Sequence, residues 1–233
     1  MGNSLIEKLL EALEIESSSA KVIISIAFIL FFGFLATRVT KKLKLPKIKF
    51  ISFFGNKITS PNIFGALEKF TTLEKFYIGK NSIAIEKEPT EIEKYKFPDN
   101  LIELGMNFCF EKDTNKFIFE YLNLENIKLL YVGGNEITSL KKFQNFNNLE
   151  EIWLIGDKEK KDRRVLEDIT QIQYLKSNEN MKKIVLKDNN IKNIGELVKF
   201  KDDFKKLELL DLRGNNIYKE TIEKFGKINI LEE

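Results

Sequence analysis

A spaced pattern of apolar residues recurs along most of this chain. In its clearest copy, residues 127–137 read IKLLYVGGNEI, with apolar side chains eight, five and three positions before Asn135 and another two positions after it. The frame recurs six more times, and its asparagine or aspartate positions are Asn56, Asn81, Asn107, Asn135, Asp157, Asn189 and Asn215. Steps between these positions run from 22 residues (135 to 157) to 32 residues (157 to 189). The chain is therefore built from an internal structural repeat.

Each copy of the frame predicts one short strand. Two apolar residues that are two positions apart share one face of a strand, and the residues between them point the other way. One such strand cannot bury its apolar face alone, so the copies stack into a parallel sheet over a continuous core. The asparagine marks the point where each strand turns away, because its amide can both donate to and accept from buried backbone groups.

The frame resembles the leucine-rich repeat family over about residues 47–233. The stretch 135–154, NEITSLKKFQNFNNLEEIWL, is most similar to the short repeats of internalins and of phosphatase-regulatory leucine-rich repeat proteins. This resemblance implies an α/β solenoid, a horseshoe of about seven repeats with a parallel concave sheet. It also implies that the chain binds a protein, and it makes a phosphatase one candidate partner.

An apolar run precedes the repeats. Residues 22–37, VIISIAFILFFGFLAT, are uncharged and are bracketed by Lys21 and Arg38. The run predicts one transmembrane helix over 21–38, after an amphipathic helix in 1–20 and before a basic linker, 39–46. It is short for a bilayer, but snorkelling of the two flanking cations makes up the difference. The alternatives are a signal peptide, which the acidic leader disfavours, and a buried core helix.

The charges that flank this run predict its orientation. The C-terminal flank carries Arg38, Lys41, Lys42, Lys44, Lys47 and Lys49 and no acid. The positive-inside rule then places the repeat domain in the cytoplasm. A single cysteine and the lack of an N-glycosylation sequon fit a reducing compartment. The inverted topology would instead make the chain a surface receptor or adhesin.

The composition argues against an enzyme. The chain has no histidine, so it lacks the residue most used for proton transfer at neutral pH and for imidazole metal ligation. Cys109 occupies an apolar position of the frame, which indicates a buried structural thiol rather than a nucleophile. No glycine-rich phosphate loop precedes a helix. We therefore expect no catalytic residues, metal, cofactor or small-molecule substrate.

The charge balance of the repeats disfavours nucleic acid as a ligand. The chain has 38 Lys and Arg and 35 Asp and Glu, of which residues 1–49 hold eight and four. The rest of the chain therefore carries 38 − 8 = 30 basic and 35 − 4 = 31 acidic residues. A nucleic-acid-binding body of this size would be expected to be basic.

The concave face is the candidate binding surface, because its side chains point away from the core. In the middle repeats it carries apolar and aromatic residues, and the last repeats add a charged rim. The predicted contact residues are Tyr77, Leu101, Glu103, Leu129, Tyr131, Trp153, Ile155, Lys183, Lys187, Asp211 and Arg213. Tyrosine and tryptophan are common binding hot spots, although aromatic residues also simply favour strands. The leading hypothesis is a membrane-anchored adaptor that binds a protein through this face.

Four further expectations concern the turns, the return segments and the end of the chain. Asp157 should be more exposed than its asparagine counterparts, because a carboxylate cannot donate to a carbonyl and its charge is costly to bury. The spacing of Leu166, Ile169, Ile172 and Leu175 suits a helix on the convex side. The charged run Lys158–Arg164 is either a solvated loop or an interaction site, and the end of the chain is a capping half-repeat.

Overall fold

The structure is a computed structural model, and it describes residues 47–84, 95–110, 118, 121–135, 137–157, 166–200, 202–217 and 229–231. The expected amphipathic helix, transmembrane helix and basic linker all precede residue 47, so they lie outside the described residues. The charged run Lys158–Arg164 lies outside them as well. Within the described ranges, no helix combines the length and the apolar character needed to cross a bilayer.

One short strand per repeat joins a single parallel sheet. The strands are β1 (Phe50–Ser52), β2 (Lys75–Tyr77), β3 (Glu103–Gly105), β4 (Leu129–Tyr131), β5 (Glu151–Trp153), β6 (Lys183–Val185), β7 (Leu209–Asp211) and β8 (Asn229–Leu231). They pair in chain order from β1 to β8. The predicted solenoid is confirmed. The end of the chain contributes an eighth strand among the described residues, where only a capping half-repeat was predicted.

In β1 to β7 the middle residue points into the core. Phe76, Leu104 and Leu130 are all fully buried, and so are Ile78 and Val132, two positions after the middle residues of β2 and β4. This alternation follows from the two-residue period of a strand. The first and last residues of these seven strands point to the opposite side of the sheet, which we call the concave face.

Short helices return the chain from one strand to the next. The first is α1 (Asn62–Ala66), followed by 3-10 helices at Leu67–Lys69, Lys141–Asn145, Ile169–Leu175 and Gly195–Phe200. The helix predicted from Leu166, Ile169, Ile172 and Leu175 is present as a 3-10 helix that begins at Ile169, and all four side chains are buried. A 3-10 helix has three residues per turn, so apolar residues spaced by three share one face.

The third repeat departs from the predicted frame by two residues. Leu104 pairs in register with Phe76 and Leu130, so it is the middle strand residue of its repeat. This moves the asparagine position of the repeat from Asn107 to Cys109. The placement of Leu101 on the concave face is therefore wrong. Leu101 is fully buried in the core, eight residues before Cys109.

Buried asparagine amides close the turns after the strands. The Asn135 amide oxygen accepts from the N–H groups of Cys109 and Phe110 at 2.8 and 3.1 Å. Its amide nitrogen donates to the carbonyls of Met106 and Val132 at 2.7 and 2.9 Å. In the third repeat the Cys109 thiol takes over the donor role and reaches the Ile78 carbonyl at 3.5 Å. Burial raises the pKa of this thiol, which keeps it protonated.

Asp157 differs from the central asparagines as expected. Asn81, Asn135 and Asn189 are buried, whereas Asp157 is half-buried. The expectation is confirmed against these three residues. It does not hold at the ends of the described solenoid, because Asn56 is exposed and Asn215 is also half-buried.

Replacing Asn135 with alanine should destabilise the fold strongly. The substitution would leave four buried backbone groups without the side chain that pairs them. A buried unsatisfied polar group costs about 1–3 kcal/mol, so we expect a loss near the upper end of this range in the free energy of unfolding. Asp157→Ala is the matched control and should cost clearly less. Denaturant melts of both variants measure the difference, and equal losses would contradict the buried-turn argument.

The residue before the asparagine position adopts a left-handed backbone in most repeats. Lys80, Phe108, Gly134, Asp188 and Gly214 all have positive φ angles, from 52° to 72°. Phe108 has this left-handed backbone directly before Cys109, just as Gly134 has it directly before Asn135. This supports the corrected frame of the third repeat.

Gly134 cannot carry a side chain without a cost. A Cβ atom built on Gly134 would lie 2.2 Å from the Phe108 ring, and its φ is +66°. Gly55 has a similar φ of +70° but nothing within 4 Å of the built Cβ atom. We expect Gly55→Ala to cost about 1–2 kcal/mol from backbone strain. Gly134→Ala should cost more because of the added overlap. Thermal melts of the two variants check this, and a smaller loss at Gly134 would refute it.

Candidate protein-binding surface

Four aromatic rings form a row across the first five strands on the concave face. Phe50 begins β1, and Tyr77, Tyr131 and Trp153 end β2, β4 and β5. The ring centroids are 5.4 Å apart for Phe50 and Tyr77, 6.1 Å for Tyr77 and Tyr131, and 5.4 Å for Tyr131 and Trp153. These separations are typical of favourable aromatic pairs. We call these four residues the aromatic row.

Gly105 allows the row to be continuous. It ends β3 and pairs in register with Tyr77 on one side and Tyr131 on the other. A Cβ atom built on Gly105 would lie 2.1 Å from the Tyr77 ring, so the ring lies over the glycine and reaches Tyr131. Sequence reasoning missed this role because the shifted frame put Gly105 at a different position. The sequence signal for this role was that Gly105 occupies, in the third repeat, the strand position that tyrosine occupies in the second and fourth repeats.

A buried carboxylate holds the middle of the row. Glu103 begins β3 and is only 6% exposed. It forms an ion pair with Lys75 at 2.7 Å and accepts a hydrogen bond from the Tyr77 hydroxyl. Burial, together with this hydrogen bond to Glu103, raises the pKa of Tyr77. The hydrogen bond to Glu103 likewise raises the pKa of Lys75. The Tyr77 ring is therefore fixed at its polar end.

A second carboxylate orients the tryptophan. Glu151 begins β5 and forms an ion pair with Lys183 at 2.9 Å. It also accepts a hydrogen bond from Nε1 of Trp153 at 3.2 Å. The hydroxyl of Tyr77 and the indole N–H of Trp153 are thus both occupied within the sheet. What these two side chains offer to a partner is the apolar surface of their rings.

The C-terminal part of the concave face is charged but largely self-paired. Arg213 donates from Nε to Asp211 at 2.9 Å and from Nη2 at 2.7 Å. Burial by itself would raise the pKa of Asp211, but the hydrogen bonds from Arg213 lower it below its usual range. Lys187 is half-buried nearby and also lowers this pKa. The charged residues expected at this rim are therefore present, and they surround the bidentate ion pair of Arg213 and Asp211.

Ten of the predicted contact residues lie on the concave face. Eight are half-buried, and two, Glu103 and Asp211, are buried beneath their ion-pair partners. The half-buried set is Tyr77, Leu129, Tyr131, Trp153, Ile155, Lys183, Lys187 and Arg213. Glu103 stands at the first position of its strand rather than the last. Leu101 is the exception in the core. Sequence reasoning missed Phe50, which is 54% exposed and begins the row.

Alkaline pH should weaken the fold through Tyr131. Burial, followed by the charges of Glu103 and Glu151, raises the pKa of Tyr131 from 10.0 to about 12. Between these values the unfolded chain loses the proton while the folded chain keeps it, so stability falls as the pH rises. Below pH 10 the contribution is fully present. Tyr131→Phe should show a shallower fall in melting temperature over this interval, and identical slopes would exclude the residue as a cause.

No protein-family model matches the chain, and no curated protein sequence does either. Internalin C2 of Listeria monocytogenes is similar, with a TM-score of 0.49 and 15% identity over 79% of this chain and 80% of that one. A leucine-rich repeat protein of Leptospira interrogans gives 0.36 and 19% over 83% and 56%.

A third similar structure is TLR13 in a complex with ssRNA13. Its TM-score is 0.46 at 21% identity, over 84% of this chain and 26% of the TLR13 chain. The present chain thus spans about a quarter of that protein. The fold itself rests on the geometry above. With one parallel strand per repeat, an apolar core on one side and buried asparagines at the turns, the described chain folds as a repeat solenoid, as its resemblance to leucine-rich repeats predicts.

Proposed function

We propose that this chain is a non-enzymatic scaffold that binds a protein partner through its concave face, with the aromatic row at the centre of the contact. The observation that carries this proposal is the row itself. Core packing does not require these four rings, because the middle strand residues already fill the core. Adjacent rings that keep solvent-accessible area on one face are typical of binding sites.

The electrostatics of the face favour a protein over a nucleic acid. Glu103 and Glu151 lie beside the row, and each is already paired with a lysine from a neighbouring strand. Beside the row the lysine charges are therefore neutralised, whereas nucleic-acid recognition depends on a surplus of positive charge for phosphates. A partner with apolar anchors and a polar rim would complement it.

The same pairing argues for binding rather than chemistry. Lys75 and Tyr77 hold Glu103, and Lys183 and Trp153 hold Glu151. Among the described residues, no group of three or more His, Cys, Asp or Glu side chains is placed to hold a metal ion. The protein's role in this proposal is to position a partner.

The proposal includes a membrane tether. The apolar run 22–37 and the basic residues that follow it support a single transmembrane helix with the repeats in the cytoplasm. Such a tether raises the effective concentration of a bound partner at the membrane. Protease protection of a C-terminal tag in sealed cells tests this topology, and a tag that is digested from outside would indicate a surface receptor instead.

Site-specific cross-linking tests the binding face. A photoreactive residue at Ile155 would report contacts on the concave face, and the same residue at Val198, exposed on the 3-10 helix Gly195–Phe200, would report contacts on the other side. We expect partner capture from position 155 only. Capture should disappear when Tyr131 and Trp153 are both replaced by alanine. Capture from position 198 alone would move the site to the convex side.

A further inference from the structure

In the part of the chain that the structure describes, the first repeat forms an apolar end of the solenoid that is exposed. Among the described residues, Phe50 and Phe54 are the most exposed large apolar side chains, at 54% and 55%. The core positions beside them are also incompletely covered. Ile51 and Phe53 are half-buried, whereas the equivalent residues of the next strand, Phe76 and Ile78, are fully buried. In the described chain no strand lies beyond β1 to cover this end.

The same end is positively charged. Lys47, Lys49 and Lys57 are exposed in this repeat, and no acidic residue occurs from Lys47 until Glu68. Lys80 adds a fourth cation, with its Nζ atom 5.6 Å from the centroid of the Phe54 ring. One acid of the next repeat, Glu74, pairs with Lys49 at 2.6 Å, and both side chains are exposed to solvent. Exposed phenylalanines are thus set among lysines.

We propose that this end of the solenoid docks on an anionic membrane surface. Phe50 and Phe54 enter the boundary between headgroups and acyl chains, and the lysines face acidic headgroups. Apolar rings combined with basic side chains are the features by which interfacial segments bind such membranes. This inference rests on the membrane tether proposed above.

Chain length places β1 within reach of the bilayer. Arg38 bounds the apolar run, and Lys47 follows it by 47 − 38 = 9 residues. Nine residues span at most about 30 Å even when fully extended. With the run in a bilayer, the first repeat is therefore confined to the layer of solvent next to the headgroups on that side, where the surface potential of anionic lipids acts.

Two other occupants fit this end less well. A second copy in a symmetric contact would bring the lysines of both chains together, and like charges that face each other are unfavourable. The apolar stripe of residues 3–16 would lie on the opposite side of the membrane in the proposed topology. An anionic bilayer is the occupant that complements both the charge and the apolar side chains.

Docking would also fix the orientation of the binding surface. Phe50 belongs both to the open end and to the aromatic row, in contact with Tyr77. A membrane that covers this end therefore encloses the first ring of the row and leaves Tyr77, Tyr131 and Trp153 for the partner. A partner bound there would be held next to the bilayer, with its own surface close to membrane-bound molecules.

A nitroxide on the first strand can test this docking in the full-length chain. Ser52→Cys places the label between Phe50 and Phe54 and keeps both rings, while Cys109 is buried and labels slowly. The labelled chain is reconstituted in vesicles of phosphatidylcholine with or without phosphatidylserine. Flotation of the vesicles reports the tether, and collisions of the nitroxide with oxygen or with a water-soluble reagent report docking. We expect the label at residue 52 to become oxygen-accessible and protected from the aqueous reagent in the anionic vesicles only.

Two variants and one control site sharpen the result. Replacing Phe50 and Phe54 with serine should return the label to water while the chain still floats. Replacing Lys47 and Lys57 with glutamine should lower the docked-to-free ratio by roughly thirtyfold, from two surface charges. A label at Val198→Cys should remain in water throughout.

The outcomes separate the alternatives. A chain that does not float would refute the tether itself. A floating chain whose label at residue 52 stays in water would overturn docking alone. Protection that depends on protein density in the vesicles, without oxygen access, would assign this end to a second copy and overturn the proposal. Protection that is equal in both lipid mixtures and in detergent would assign it to another segment of the same chain, with the same consequence.

Discussion

Replacing Trp153 and Tyr131 together with alanine should abolish partner binding and leave the melting temperature nearly unchanged. Both rings lie on the concave face with their centroids 5.4 Å apart, and neither fills the core. Truncating a central aromatic anchor typically costs at least about 2 kcal/mol of binding. This corresponds to a loss of roughly thirtyfold or more in affinity for a single site.

Pull-down with native partners and thermal melts of the same preparations measure the two effects. Leu129→Ala is a useful matched control, since Leu129 is also half-buried on the concave face but carries no ring. It should weaken binding much less. Intact binding by the double variant with intact stability would move the site to the convex side. A large loss of stability would show that the rings support the fold instead.

Leu101→Ala should destabilise the solenoid by about 2–5 kcal/mol, as expected for deleting a fully buried leucine side chain. The spread depends on how far the surrounding core relaxes. Leu101 lies in the third repeat, so the cavity would open between well-packed neighbours on both sides. Partner binding by the folded fraction should be unaffected, because Leu101 does not reach the concave face.

Denaturant melts with Leu129→Ala as the comparison decide between the two frames of the third repeat. Leu129→Ala should lower the free energy of unfolding less than Leu101→Ala, because Leu129 is half-buried and Leu101 is fully buried. If Leu101→Ala were nearly neutral in stability and weakened binding, the original concave placement of this residue would be right and the register of β3 would have to be revised.

The core of most repeats could be predicted because its signal is local. Residues such as Leu130 and Val132 are two positions apart, and this spacing alone puts them on one face of a strand. In the third repeat the sequence LIELGM, residues 101–106, contains two overlapping apolar spacings. The spacing that ends at Asn107 has no apolar residue eight positions earlier, because Asp99 stands there. The spacing that the structure shows ends two residues later and puts a cysteine, Cys109, in the asparagine position.

The aromatic row could be predicted only in part. Its members from Tyr77 onward follow from strand alternation, but the way the Tyr77 ring leans over Gly105 depends on the exact register of three adjacent strands. The exposure of Phe50 depends on its place on the first strand of the described sheet rather than on any property of its own repeat. Such features arise from stacking order, which no single repeat encodes.

Each strand of the described sheet pairs only with its neighbours in chain order, so local unfolding spreads from one strand to the next. Each of the strands β2 to β7 is stabilised by the strand before it and the strand after it, and each edge strand of the described sheet by one neighbour. Unfolding can therefore begin at one end and stop part of the way along. The aromatic row ends at Trp153 on β5, and three further strands separate it from the C-terminal edge. Fraying that starts from β8 would therefore have to pass through β7 and β6 before it reached the aromatic row. In the described sheet, β6 to β8 therefore separate the aromatic row from unfolding that begins at β8.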